Sequence, residues 1–368
     1  MGTRECDRDL QTMPVLPHQR DYRIGVIGAG FIVADVQIPA YLAAGFTVQA
    51  IASRTPAHAQ AVADRHGVPA CYDTWEELLD DQSIEVIDVA FPPDQQRAII
   101  EAACQRPHIK GILAQKPIAG NYDDAAKIVE ACEVAGKVLS VNQNMRYDQS
   151  MRALKTLLDR GDLGEPVLAT VEMRAIPHWQ PFLEDGDRLT LQNMSIHHID
   201  AFRFLFGDPE GIFVSARRDP RTKFEHRDGI CLYILEYANG MRASSWDDVW
   251  TGPVREGSEG DIYIKWRVEG TDGLAWGTIG WPYYPTPTPS TLTYTTKRNP
   301  GMIFQPKWTE VWFPDAFQGT MGALFDALNG GPNVLSGADN LPTMALVEAG
   351  YRSLDEKRLV RVDEVMGA

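Results

Sequence analysis

Apolar and polar positions follow two textures along the chain. Up to about residue 143, short apolar runs alternate with stretches of helical spacing. The runs Tyr22–Ile27, Thr47–Ala52, Glu85–Ala90, Ile109–Ala114 and Lys137–Val141 read as strands covered on both faces. Between them, Phe31–Ala44, Pro56–His66, Asp94–Gln105 and Tyr122–Ala135 carry helical spacing, with Pro56 in a first turn and Gly67 and Gly136 as stops. Pro39 predicts a kink or an end in the first of these helices, because proline has no amide to give. A strand–helix–strand alternation of this kind implies a doubly wound parallel sheet with helices on both faces.

After about residue 160 strands follow one another. Pro166–Ile176, Ile212–Ala216, Gly229–Tyr237, Met241–Trp246, Ile262–Val268 and Leu274–Thr278 show partial alternation and are rich in Val, Ile, Tyr and Trp. Half-buried antiparallel strands have that character. Asn239–Gly240 between two of them predicts a hairpin. Helices are expected near Met194–Phe206, Phe317–Leu328 and Leu341–Lys357, and the proline-rich Trp281–Pro300 reads as a loop or an irregular edge.

The chain has 368 residues, more than the ~250–300 at which a single core stops growing. Two domains are expected: residues 21–143 and 144–368, after a polar, flexible tail over residues 1–20. With 35 basic and 50 acidic residues the net charge is −15. Such a surface repels phosphate backbones, which argues against nucleic acid as a partner. No apolar run reaches the ~18 residues a membrane span needs, and the first 20 residues lack a signal peptide's apolar core. Cys6, Cys71, Cys104, Cys132 and Cys231 are widely spaced and never form CxxC. Neither a disulfide framework nor a metal site is expected, and a reducing cytoplasm fits best.

Three places carry candidate chemistry. The first strand runs into Gly28-Ala29-Gly30-Phe31-Ile32 and then a helix. Glycine allows a tight turn close to a pyrophosphate, and the helix N-terminus offers amides and a positive dipole end to that anion. Val33 stands where a third glycine would. At the end of the second strand, Ser53-Arg54 replaces the acid that would bind the 2′-hydroxyl of NAD. A hydroxyl and a guanidinium suit a 2′-phosphate, so the cofactor is NAD or NADP with a lean to NADP. Next, the fifth strand ends in Gln115-Lys116-Pro117. Proline keeps the preceding Lys116 extended, aiming it at the edge where ligands bind; its ammonium suits a developing alkoxide. Finally, spacings of four and three put Asn193, His197 and Asp200 on one helical face. Histidine is the natural proton shuttle near neutral pH.

Taken in order, Gly28-Ala29-Gly30, Gln115-Lys116-Pro117, Asn142 to Tyr147 and Ser195 to Asp200 resemble the Gfo/Idh/MocA oxidoreductases. The resemblance covers about residues 20 to 360. It implies a Rossmann domain followed by an α/β domain with a large, mostly antiparallel open sheet, which commonly forms a subunit interface. A homodimer or homotetramer is therefore expected. It also implies NAD or NADP, and a carbohydrate or cyclitol substrate. The family's lysine falls on Lys116 and its histidine on His197, not His198. Gln115, Asn193 and Ser195 stand where the family has glutamate, aspartate and glycine, and Phe91-Pro92 where it has Thr-Pro. Gln115 and Asn144 are implied at the cofactor. An asparagine at 193 withholds a negative partner from His197, which favours the neutral, proton-accepting imidazole.

Substrate-side candidates are Lys116, Arg146, Tyr147, His178, Trp179, Asn193, His197 and His198, with Asp247, Asp248 and Trp250 on the strand beyond. Tryptophan faces and carboxylates are what sugar rings ask for. The leading expectation is a dehydrogenase in which His197 is the base and Lys116 polarises the oxygen. Two others accompany it: a redox-assisted, NAD-dependent glycosidase and a non-catalytic dinucleotide-sensing regulator.

Overall fold

The structure, a computed structural model, describes residues 10–174, 181–248, 262–280 and 285–367. The chain forms two compact units. One comprises Pro14–Asn144 with Pro314–Met344; the other comprises Met1–Met13, Met145–Phe313 and Ala345–Ala368.

The first unit runs β1 (Arg23–Ile27), α1 (Ile38–Ala43), β2 (Thr47–Ala52), α2 (Pro56–His66), β3 (Ala70–Tyr72), α3 (Trp75–Asp80), β4 (Val86–Val89), α4 (Pro93–Cys104), β5 (Gly111–Ala114), α5 (Tyr122–Val134) and β6 (Val138–Val141). The six strands pair in parallel in the order β3-β2-β1-β4-β5-β6. The order reverses between β1 and β4, and the loops leaving their carboxyl ends part to opposite faces and open a crevice there. Pro39 acts earlier than its position suggests. The helix begins as a π-helical turn over Ile32–Gln37, closed by the Ile38 amide on the Val33 carbonyl. It settles into α geometry only around the proline, which has no amide to hold the register.

Residues 314–344 belong to this unit, whereas the sequence reading assigned them to a domain running to residue 368. The reason is packing. Phe325, on the helix Phe317–Leu328, meets the rings of Tyr22 at 5.1 Å and Phe46 at 4.9 Å. Gly111 of β5 lets the same helix approach, since a β-carbon there would stand 3.0 Å from Leu328. The expected loose tail is also shorter than 20 residues. Leu16 packs at Gly322, and the Gln19 carbonyl accepts from Asn329 at 2.8 Å.

The second unit contains α6 (Gln149–Asp159), β7 (Pro166–Arg174), α7 (Ile196–Phe206), β8 (Gly211–Arg217), β9 (Ile230–Glu236), β10 (Arg242–Asp248), β11 (Tyr263–Gly270), β12 (Gly273–Ile279), β13 (Thr291–Thr296) and β14 (Val360–Arg361). They form one sheet of eight strands, β13-β12-β11-β7-β10-β9-β8-β14, antiparallel except where β10 runs beside β7. The proline-rich stretch thus ends in a regular edge strand, β13. Asn239–Gly240 makes the expected hairpin, with Gly240 at φ +88°. Alternation gives the sheet an inner face of Tyr233, Ala243 and Val171 and an outer face that leaves Phe213, Ile234 and Trp246 exposed. Among the described residues, no helix is long and apolar enough to cross a membrane.

Candidate active site

In the first unit the chemistry gathers at the carboxyl ends of β1, β4 and β5. Gly28 leaves β1 at φ +130° with its amide on the Ala52 carbonyl at 2.7 Å. A β-carbon there would lie 2.5 Å from the Ala90 carbonyl oxygen, so only glycine fits between the β1 and β4 loops. Nothing lies within 4 Å of where a β-carbon of Gly30 would stand. The Gly30 carbonyl accepts from the Val33 and Ala34 amides at 3.0 and 2.9 Å, which starts the helix at this point. Open space over a glycine, facing a helix start, fits a dinucleotide pyrophosphate. Ala29, Phe31 and Ile32 complete that turn, and Phe91-Pro92 lies just beyond Ala90 at the start of α4.

At the end of β2 the Ser53 hydroxyl is tied into its own turn. It donates to the Thr55 carbonyl at 2.8 Å and accepts from the Thr55 amide at 3.2 Å. Arg54 between them is exposed. Beyond β5, Gln115 is nearly buried and the Lys116–Pro117 bond is cis. Lys116 is half-buried. Desolvation pushes its ammonium down to about 7. Asn144, 3% exposed, donates to the Asn142 carbonyl at 3.3 Å.

In the second unit, α7 is preceded by a π-helical turn over Leu191–Ser195. The single α-helical face expected for Asn193, His197 and Asp200 is therefore interrupted, because a π turn carries more residues per revolution. Asp228 holds the entry to this turn by accepting from the Leu189 and Leu191 amides at 2.8 and 2.7 Å. Asn193 and His197 are buried to 9% and 5% exposure. The His197 ring meets Trp312 edge-on, centroids 6.0 Å apart, and its Nδ1 is sealed from solvent.

Several substrate-side candidates sit elsewhere than expected. His198 is fully buried and turned into the sheet: its Nδ1 lies 3.1 Å from Asp247 Oδ2 and 3.3 Å from Ser245 Oγ. Asp247 also accepts from Ser195 Oγ and, at 2.8 Å, from Ser245 Oγ. Together these contacts clamp the residues bracketing His197 to β10. Asp248, on the outer face, is paired with Arg221 at 2.7 Å. Arg146 is buried against Asp200, and Tyr147 is buried with the Arg152 guanidinium 5.5 Å over its ring. His178, Trp179 and Trp250 lie outside the described residues. Trp312 and the buried Gln96 of α4 were not found from the sequence as site residues, and Asp247, expected on the substrate side, instead holds Ser195 and His198. Only Ser195, a hydroxyl where the family has glycine, hinted at such a clamp.

Comparison with known proteins agrees with this geometry. Residues 22–143 match the oxidoreductase family model with an NAD-binding Rossmann fold, and residues 151–275 match the GFO/IDH/MocA C-terminal domain. A D-apiose dehydrogenase of Rhizobium rhizogenes is 28% identical, over 93% of this chain and 97% of its own. A D-xylose 1-dehydrogenase (NADP(+)) of Haloferax volcanii is 26% identical, over 92% and 99%. An oxidoreductase of Agrobacterium radiobacter, crystallised with NAD+, L-tartaric acid and magnesium, superposes with a TM-score of 0.78 at 26% identity, covering 94% of this chain and 99% of its own. With both halves matched and the dinucleotide turn in place, the chain belongs to the Gfo/Idh/MocA oxidoreductases, with an NAD-binding Rossmann domain at residues 22–143.

Proposed function

We propose that this oxidoreductase oxidises a hydroxyl of a sugar, glycoside or cyclitol, with His197 as the base and Lys116 polarising the oxygen. The observation that carries the reading is similarity along nearly the whole chain to a D-apiose dehydrogenase. Bound NAD or NADP supplies the hydride acceptor. The chain's own residues do the rest. The Gly28–Ile32 turn and the helix start bind the pyrophosphate. Lys116 Nζ donates to the hydroxyl oxygen and stabilises it as charge develops. His197 takes the proton at Nε2, the nitrogen on the side away from its sealed Nδ1. General-base help of this kind is worth about 10²–10⁴ in rate. The buried indole of Trp312 excludes water from one side of that imidazole.

The test is a panel of aldoses, glycosides and inositols followed at the nicotinamide absorbance band with each cofactor. Turnover that Lys116→Ala and His197→Ala each abolish is the expected result. Full turnover in both variants would overturn it. Product without net absorbance change would point to the glycosidase reading instead.

The partner reading is a second copy of this chain. Phe213, Ile234 and Trp246 expose 38%, 44% and 50% of their surfaces on one face of the open sheet, around a hollow of about 530 Å³. Contiguous exposed apolar surface of this kind favours association. Light scattering of Trp246→Glu against the parent chain tests it. A place in the cytoplasm is supported by cysteines that are widely spaced and never form CxxC.

A further inference from the structure

One side chain holds the turn that carries Lys116. Gln96 of α4 is fully buried. Its Oε1 accepts from the Gln115 amide at 2.9 Å. Its Nε2 donates to the Gln115 carbonyl at 3.1 Å and to the Pro117 carbonyl at 2.8 Å. A buried carboxamide is costly unless it is hydrogen-bonded. Here every hydrogen bond of that carboxamide goes to the peptide groups flanking one lysine. The backbone leaving β5 is thereby fixed on both sides of Lys116, while the lysine itself has no part in the contact.

We propose that Gln96 is the positioning residue for the Lys116 ammonium: its carboxamide clamps the peptide groups before and after the lysine and so sets where that side chain leaves the sheet edge. The proposal rests on the catalytic role assigned to Lys116. An ammonium that must meet a hydroxyl oxygen within hydrogen-bond distance is sensitive to displacements of an ångström. Release of the clamp lets the side chain swing towards water, where its desolvation is relieved.

The experiment uses the full chain and two variants. Gln96→Met keeps length and volume but can neither accept nor donate. Gln96→Asn keeps a neutral carboxamide that is one methylene too short to hold all three contacts. The first readout is the pH dependence of Lys116 acylation by acetic anhydride, followed by peptide mass spectrometry, which needs no turnover. The second is kcat and KM. In Gln96→Met the acylation midpoint of Lys116 moves up by at least one pH unit and kcat falls at least tenfold, with KM for the dinucleotide within about threefold. Gln96→Asn lies between this variant and the parent. An acylation profile that superimposes on the parent's overturns the proposal, whatever happens to kcat. Should Gln96→Met not fold, Gln96→Asn decides by the same midpoint. Lys116→Ala separates the two questions: full turnover in that variant removes the catalytic role, and the acylation midpoint still decides whether Gln96 sets the lysine.

Discussion

The Arg146 guanidinium grips the Asp200 carboxylate with two parallel hydrogen bonds, Nε to Oδ2 at 2.6 Å and Nη2 to Oδ1 at 2.7 Å, both residues buried. Arg203 adds a weaker contact to the same carboxylate at 3.9 Å. Asp200 lies three residues after His197 on α7. Arg146 lies in the short turn Asn144–Tyr147 that leads into α6, so this pair fixes that turn against α7.

Removing one partner takes the close bidentate contact from a buried charge. Asp200→Asn or Arg146→Ala should destabilise the fold by about 3–5 kcal/mol. The double variant Arg146→Met with Asp200→Leu should recover most of that, since no charge is left stranded. Urea denaturation of the three variants and the parent checks both statements. Equal losses in the single and double variants would mean that shape, not charge, is what the pair supplies.

Lys116 gives the pH dependence a definite sign. Its folded value of about 7 lies below the ~10.4 of a free lysine. Between the two, the unfolded chain holds the proton more tightly, so the lysine's contribution to stability grows as pH rises through that window. For the proposed role of polarising the oxygen the ammonium is the useful form, and it is lost above about 7. The kcat/KM profile of the free enzyme should therefore fall on its alkaline side near that pH. Lys116→Arg, charged at every accessible pH, should lose that limb at a lower plateau rate. An alkaline limb unchanged in Lys116→Arg would assign it to another group.

Much of this was legible in residue order. The bounds of β2 and α2 fall where the apolar run, Pro56 and Gly67 put them. The three-residue β3 and the short α3 left no periodicity to read. The two π turns, Ile32–Gln37 and Leu191–Ser195, escaped because helical spacing assumes 3.6 residues per turn. Both sit where chemistry is expected, beside the dinucleotide turn and just before His197. Strand parity was the other blind spot. Trp246 and Asp247 are neighbours on β10, yet one is exposed and the other buried. Which of two alternating faces is covered depends on what packs there, and no local pattern states it.

Asp88 is a second titrating group, this one inside the first unit. It is fully buried on β4, its Oδ2 accepting from Tyr41 Oη at 2.7 Å and Gln37 Nε2 at 2.8 Å. Burial pushes its carboxyl up to about 7, against the ~3.9 of a free aspartate. The folded chain then holds the proton more tightly between those values, so stability falls as pH rises across that window. Asp88→Asn, which cannot ionise, should be flat there and more stable than the parent at pH 8, by at most about 4 kcal/mol. Thermal unfolding at pH 5 and pH 8 measures the difference. A parent chain with the same pH slope as Asp88→Asn would show that Asp88 does not titrate in this range.

Cofactor choice turns on Arg54. With the Ser53 hydroxyl committed to Thr55 at both ends, the guanidinium is the cationic group that the turn presents to solvent at the carboxyl end of β2. No acid stands at positions 53 to 55 to take a ribose 2′-hydroxyl or repel a 2′-phosphate. Hydrogen bonds to charged groups are worth about 1.5–3 kcal/mol, or roughly ten- to a hundredfold in affinity. Arg54→Ala should weaken NADP+ by that factor and leave NAD+ within about threefold, as titration calorimetry can resolve. Adenine stacking makes the opposite forecast, because both dinucleotides carry the same base. Equal weakening of the two would place the guanidinium on the ring and leave the 2′-phosphate without a partner in this turn.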